Sequence, residues 1–90
     1  MIDFKSFTDA VKTAVEKILD GEDLKIALEA ISSKGRGFDF GGDAGLDSLD
    51  LLDIMYHIYQ ETGMKMPNFE GSTLGELYDA TIAHNERVKG

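Results

Sequence analysis

Ser48 is the residue of this 90-residue chain whose surroundings suit chemistry. Asp47 stands before it where a helix N-cap belongs, so Ser48 falls on the first residue of a helix with its hydroxyl facing outward. Unpaired backbone N–H groups and the positive end of the helix dipole lie beside that oxygen, and both favour a phosphate ester on it. Gly41, Gly42 and Gly45 keep the approach free of side chains, and Leu49 offers an apolar foothold next to it. Each piece also has a plainer explanation. A serine at a helix start is often only a cap, and glycines before a helix are often only a turn.

Acidic side chains crowd the same stretch. Residues 37–64 hold Asp39, Asp43, Asp47, Asp50, Asp53 and Glu61 with no Lys or Arg, whereas the flanking segments are nearly balanced; most of the net charge of −8 therefore belongs to one segment. In a helix Asp47, Asp50 and Asp53 line a ridge running away from Ser48, with Tyr56 close enough to add an apolar contact. Such a field repels nucleic acid and anionic membrane surfaces and suits basic proteins. It also suits a simple solvated surface. Asp39, Asp43, Asp47 and Asp50 further fall at positions 1, 5, 9 and 12 of an EF-hand-like loop, which leaves open an interaction module with weak divalent-cation binding. That loop has Gly41 at position 3, Ala44 at position 6 where Gly is needed, and Asp50 where a bidentate Glu is expected. No metal-ligand set is assigned: His57 is expected to pair with Asp53, and neither His57 nor His84 has a second ligand at metal spacing. Met55, Met64 and Met66 read as adaptable core packing, or as the lining of a cleft.

The elements that position these residues are helical. Phe4, Phe7, Val11, Ala14, Val15 and Ile18 recur at helical spacing and predict a helix over about 4–19, stopped by Gly21. Leu24, Ala27, Leu28 and Ile31 predict a second over 24–33. Residues 34–47 are glycine-rich without helical period and read as a loop whose Phe38, Phe40 and Leu46 tuck inward. A helix over 48–62 ends at Gly63; its apolar stripes Leu51, Ile54, Ile58 and Leu52, Met55, Tyr59 make it the expected central helix. Ser72 or Thr73 can cap a last helix over 72–84 with Leu74, Leu77, Tyr78 and Ile82 inward, leaving a frayed tail at 85–90. The expected architecture is all-α, a small three- to four-helix bundle with a long loop before the central helix.

Length and composition bound what such a bundle can do. One domain spans 1–90 and lacks room for a deep catalytic pocket. With no Cys there is no disulfide or thiol nucleophile, which suits a reducing compartment, and the expected localisation is cytoplasmic. No apolar run reaches a membrane span and no signal-peptide pattern opens the sequence.

Residues 40–67 resemble the acyl carrier protein family, whose hallmark is Asp-Ser-Leu at the head of a central helix. Phe40 holds the family's aromatic position, Asp43 its acidic position and Gly45 its turn glycine, and Asp47, Ser48 and Leu49 hold the hallmark. Leu52, Ile54, Met55 and Ile58 match its core positions, and Met66 and Pro67 the apolar residue and proline that follow. The resemblance implies that a phosphopantetheinyl transferase moves 4′-phosphopantetheine from coenzyme A onto Ser48, and that the arm's thiol then carries acyl groups as thioesters. The protein would be a monomer and not an enzyme, visiting acyl-loading, condensing and modifying enzymes whose basic patches meet Asp47, Leu49, Asp50, Asp53 and Tyr56. Tyr59 and Gln60 stand where carriers of fatty acid synthesis usually have acidic residues, His57 where a small residue is common, and Thr62 where an aromatic is usual. These departures point to a specialised member, in a fatty acid, polyketide or other acyl pathway.

Overall fold

A computed structural model describes residues 2–89 of the chain. Five α-helices are found among them: α1 (Phe4–Ile18), α2 (Gly21–Lys34), α3 (Phe40–Ala44), α4 (Ser48–Thr62) and α5 (Leu74–Lys89), with a 3-10 turn at Gly35–Gly37. The all-α class is as the periodicity predicts. Three boundaries differ, for identifiable reasons. The first helix ends at Ile18 on an extended Leu19, so Gly21 does not stop it; Gly21 instead opens α2 behind an extended Asp20, three residues ahead of the predicted start.

The predicted 34–47 loop contains the 3-10 turn and α3. Two carboxylates build α3 in place of hydrophobic period: Asp39 accepts from the Gly42 N–H at 2.8 Å, and Asp43 accepts from the Asp39 N–H at 2.9 Å. Its C-terminus closes on Gly45, whose φ of +66° is the left-handed conformation that glycine adopts freely. Phe38, Phe40 and Leu46 are buried as expected, the two phenylalanines edge to face at 5.3 Å.

The predicted frayed tail is helical as far as Lys89. Asn85 explains the extension, because it clamps the backbone of Lys65 from both sides: its Nδ2 donates to the Lys65 carbonyl at 2.8 Å, and its Oδ1 accepts from the Lys65 N–H at 3.1 Å. Thr73 rather than Ser72 caps α5. Its Oγ1 accepts from the Glu76 N–H at 3.2 Å, while Glu76 accepts from the Ser72 and Thr73 N–H groups, each at 3.0 Å.

The central helix is α1, not α4. Helices α2, α4 and α5 all pack on α1, whose Phe7, Val11, Ala14 and Val15 are fully buried. Tyr78 of α5 lies edge to face against both Phe4 and Phe7 at 5.3 Å. Helix α4 therefore covers one side of the bundle and buries only part of its apolar surface. Ile54, Met55 and Ile58 go into the core; Leu52 and Tyr59, expected inward, are 60% and 48% exposed. No helix among the described residues is long and apolar enough to cross a membrane.

Candidate functional site

The loop before α4 is pinned at both ends, and this fixes where Ser48 emerges. Phe40 N–H donates to the Ser72 carbonyl at 3.0 Å and Leu74 N–H to the Phe38 carbonyl at 2.8 Å, which ties the loop to the connector ahead of α5. Leu46 is then buried and the chain turns outward at Asp47.

At the start of α4 a reciprocal capping box forms. The Asp50 N–H donates to Asp47 Oδ1 at 2.9 Å, and the Asp47 N–H donates to Asp50 Oδ2 at 3.2 Å. The cap is thus Asp47. Ser48 is exposed on the first residue of the helix, and no group among the described residues hydrogen-bonds its hydroxyl. The plainer explanation for the serine, that it caps the helix, does not hold here. Its hydroxyl is free for another use, and among the described residues nothing accepts from the Ser48 and Leu49 N–H groups that open the helix.

Ser48 sits on the rim of a groove of about 400 Å³ between the α3 loop and the connector, lined by Phe40, Leu46, Leu51 and Phe69 with Glu70 and Ser72 at polar positions. Leu49 is 74% exposed and Tyr56 56% exposed, so both expected apolar contacts are at the surface. Asp47 and Asp53 are exposed as well and Asp50 is half-buried, and the capping box engages one carboxylate oxygen each of Asp47 and Asp50. The acidic ridge is therefore more open at its two ends than at its middle.

Asp43 is also engaged, by a cation from outside the acidic segment. The Lys34 ammonium bonds its Oδ1, and this contact first, then the Asp39 N–H, holds the Asp43 carboxyl below the ordinary carboxylate value. Glu76 is held low in the same way, by the backbone N–H groups of Ser72 and Thr73. The four aspartates that matched an EF-hand-like loop are thus committed in pairs, Asp39 with Asp43 to α3 and Asp47 with Asp50 to α4. Among the described residues no group of three or more His, Asp or Glu side chains could hold a metal ion.

The expected pair between His57 and Asp53 does not form. His57 is half-buried with its Nδ1 unpartnered and its ring edge to face against Tyr56 at 5.6 Å. Met64 is core and Met66 lines a cleft, while the buried Met55 does both. Sequence reasoning missed the exposure of Leu52 and Tyr59. Their spacing with Leu49 and Tyr56, which puts all four on one stripe, was the signal that could have found it.

Fold and site together define a small all-α domain presenting a free serine hydroxyl at a helix N-terminus. Compared with models of known families, with curated proteins and with solved structures, the chain matches none.

Proposed function

We propose that this chain is an acyl carrier protein, bearing 4′-phosphopantetheine on Ser48 and presenting acyl thioesters to enzymes that load, extend or modify them. One observation carries the reading: Asp47 caps α4, leaving the Ser48 hydroxyl exposed and unbonded within Asp-Ser-Leu at the head of the helix. In the transfer, the Ser48 oxygen attacks the phosphorus of coenzyme A that bears the pantetheine. A new P–O bond forms, the pyrophosphate bond breaks, the 3′,5′-bisphosphate nucleotide leaves, and the hydroxyl proton passes to a base of the transferase.

The roles of this chain are positional. The N–H groups of the first turn of α4 and its helix dipole would favour the negative charge of a phosphodiester on Ser48. The groove lined by Phe40, Leu51 and Phe69 offers the arm an apolar surface at its point of attachment. Exposed Asp47 and Asp53 steer basic enzymes toward the arm, giving association that weakens with salt. The sulfur arrives with the cofactor, so a chain without Cys performs thiol chemistry while catalysing no step itself. Tyr59 and Gln60 in place of carboxylates favour a specialised acyl pathway over general fatty acid synthesis.

The test is transfer of a fluorescent pantetheine from a coenzyme A analogue by a broad-specificity phosphopantetheinyl transferase with magnesium. We expect one label per chain, lost in Ser48→Ala and kept in Ser72→Ala. A chain that stays unlabelled, or a label that survives Ser48→Ala, would overturn the proposal.

A further inference from the structure

A groove of about 520 Å³ lies between α4 and the connector that follows it, toward the end of the helix remote from Ser48. Leu52, Met55 and Tyr59 form one wall, and Met66 and Pro67 the other. Both walls are braced. Gln60 Nε2 donates to the Tyr56 hydroxyl at 2.9 Å, and Asn85 clamps the backbone of Lys65 beside Met66. Walls set in advance lose little side-chain freedom when the groove is filled, which favours its use as a binding site. Its volume falls within the roughly 300–1,000 Å³ of sites that hold small organic ligands.

The polar groups of the groove are hydrogen-bond donors. Lys65 lines it and no carboxylate does, and the Lys65 ammonium makes no ion pair among the described residues. The Tyr56 hydroxyl accepts from Gln60 and so keeps its own proton to donate. The carboxylates of α4 lie on other sides of the helix. At roughly 100° per residue, Asp50 and Glu61 fall about 170° around α4 from the middle of the groove wall, and Asp53 about 110°. Glu61 is moreover paired with Lys17 at 3.7 Å. In a chain with a net charge of −8, this groove is therefore a local cationic site with apolar walls. An ammonium and a phenol beside apolar walls match a ligand with an apolar body and one anionic, acceptor-only group. We infer that the groove binds a free aliphatic carboxylate, its chain along Leu52, Met55, Met66 and Pro67 and its carboxylate at the Lys65 ammonium. An acyl group carried as a thioester has spent its carboxylate in the thioester bond and brings no anion to Lys65, whereas the free acid retains it. The inference thus goes beyond the carrier reading and needs no arm on Ser48.

The test uses the unmodified full chain, whereas arm attachment is read by labelling, so that the two readings fail in separate assays. The probes are decanoate and decan-1-ol, each kept below its self-association concentration and followed by amide shifts. We expect decanoate to bind saturably, with shifts centred on Tyr59, Lys65 and Met66, and decan-1-ol to bind at least about fivefold more weakly. Lys65→Met keeps an apolar stem and the backbone bonds to Asn85. It should bring decanoate down to the level of decan-1-ol and leave decan-1-ol unchanged, while Lys65→Arg retains the preference for the acid. Leu52→Ser should weaken both probes, and added salt should narrow the difference between them. Absence of saturable decanoate binding, equal binding of the two probes by the parent chain, or an acid preference that survives Lys65→Met would each overturn the inference. So would shifts centred on Phe40 and Phe69, which would give the acid to the groove beside Ser48.

Discussion

Helix α4 has two apolar faces of similar length, and the bundle covers only one. Ile54, Met55 and Ile58 lie against the core, while Leu49, Leu52, Tyr56 and Tyr59 stand in solvent. Composition does not separate the faces, since both carry large side chains at helical spacing. The covered face is the one whose side chains fit the surface of α1, and the open face is left with the charges and the free serine. A helix that is apolar on more than one side need not be central; it can be peripheral with a second surface kept for something else.

Ile58→Ala removes a fully buried side chain and should cost about 2–5 kcal/mol in urea unfolding. Leu52→Ser, six residues earlier on the open face, should fall within about 0.5 kcal/mol of the parent. Equal losses would mean that the open face is packed in solution.

A smaller contrast sharpens the account at the head of the helix. Asp47→Ala removes the cap and should cost about 1 kcal/mol, whereas the neighbouring Ser48→Ala should change stability by less than about half of that. The reverse order would make Ser48 the cap and remove its freedom for chemistry. Asn85→Ala tests the brace of the open face: losing its two bonds to Lys65 should cost about 1 kcal/mol and increase amide exchange at Lys65 and Met66.

The smallest effect is the response to acid. Asp43 and Glu76 have their carboxyl pKa values lowered in the folded chain, by the Lys34 contact and by the Ser72 and Thr73 N–H groups respectively. Their contribution is therefore present above the unfolded carboxylate value of roughly pH 4, and is lost as pH falls through the lower folded values. Thermal melts between pH 7 and pH 3 should show this loss, and Asp43→Asn should flatten it. A melting temperature that rises on acidification would show that self-repulsion of the acidic segment outweighs the caps.

Much of this arrangement is legible in the residues. Phe7, Val11, Ala14 and Val15 announce α1 because one continuous stripe faces one core, and the Asp47-Ser48-Leu49 start of α4 is readable because a cap is a local interaction. Helix α3 escaped because Phe40–Ala44 is too short to show a period and is nucleated by the Asp39 and Asp43 side chains. Gly21 misled because a glycine can open a helix as well as close one. The helical tail is not legible locally because Asn85 acts on Lys65, twenty residues away, a contact that no local pattern contains. Spacing alone pairs His57 with Asp53, yet the His57 ring turns to Tyr56. The uncovered stripe on α4 could not be told from the covered one until α1, the true centre, was in place.

The proposed attachment of a phosphopantetheine arm to the Ser48 hydroxyl is tested by intact and peptide-level mass spectrometry of the chain after incubation with coenzyme A, magnesium and a phosphopantetheinyl transferase. The account predicts a gain of one phosphopantetheine, located on the peptide containing Ser48. An unchanged mass, or the same gain on another residue, would contradict it.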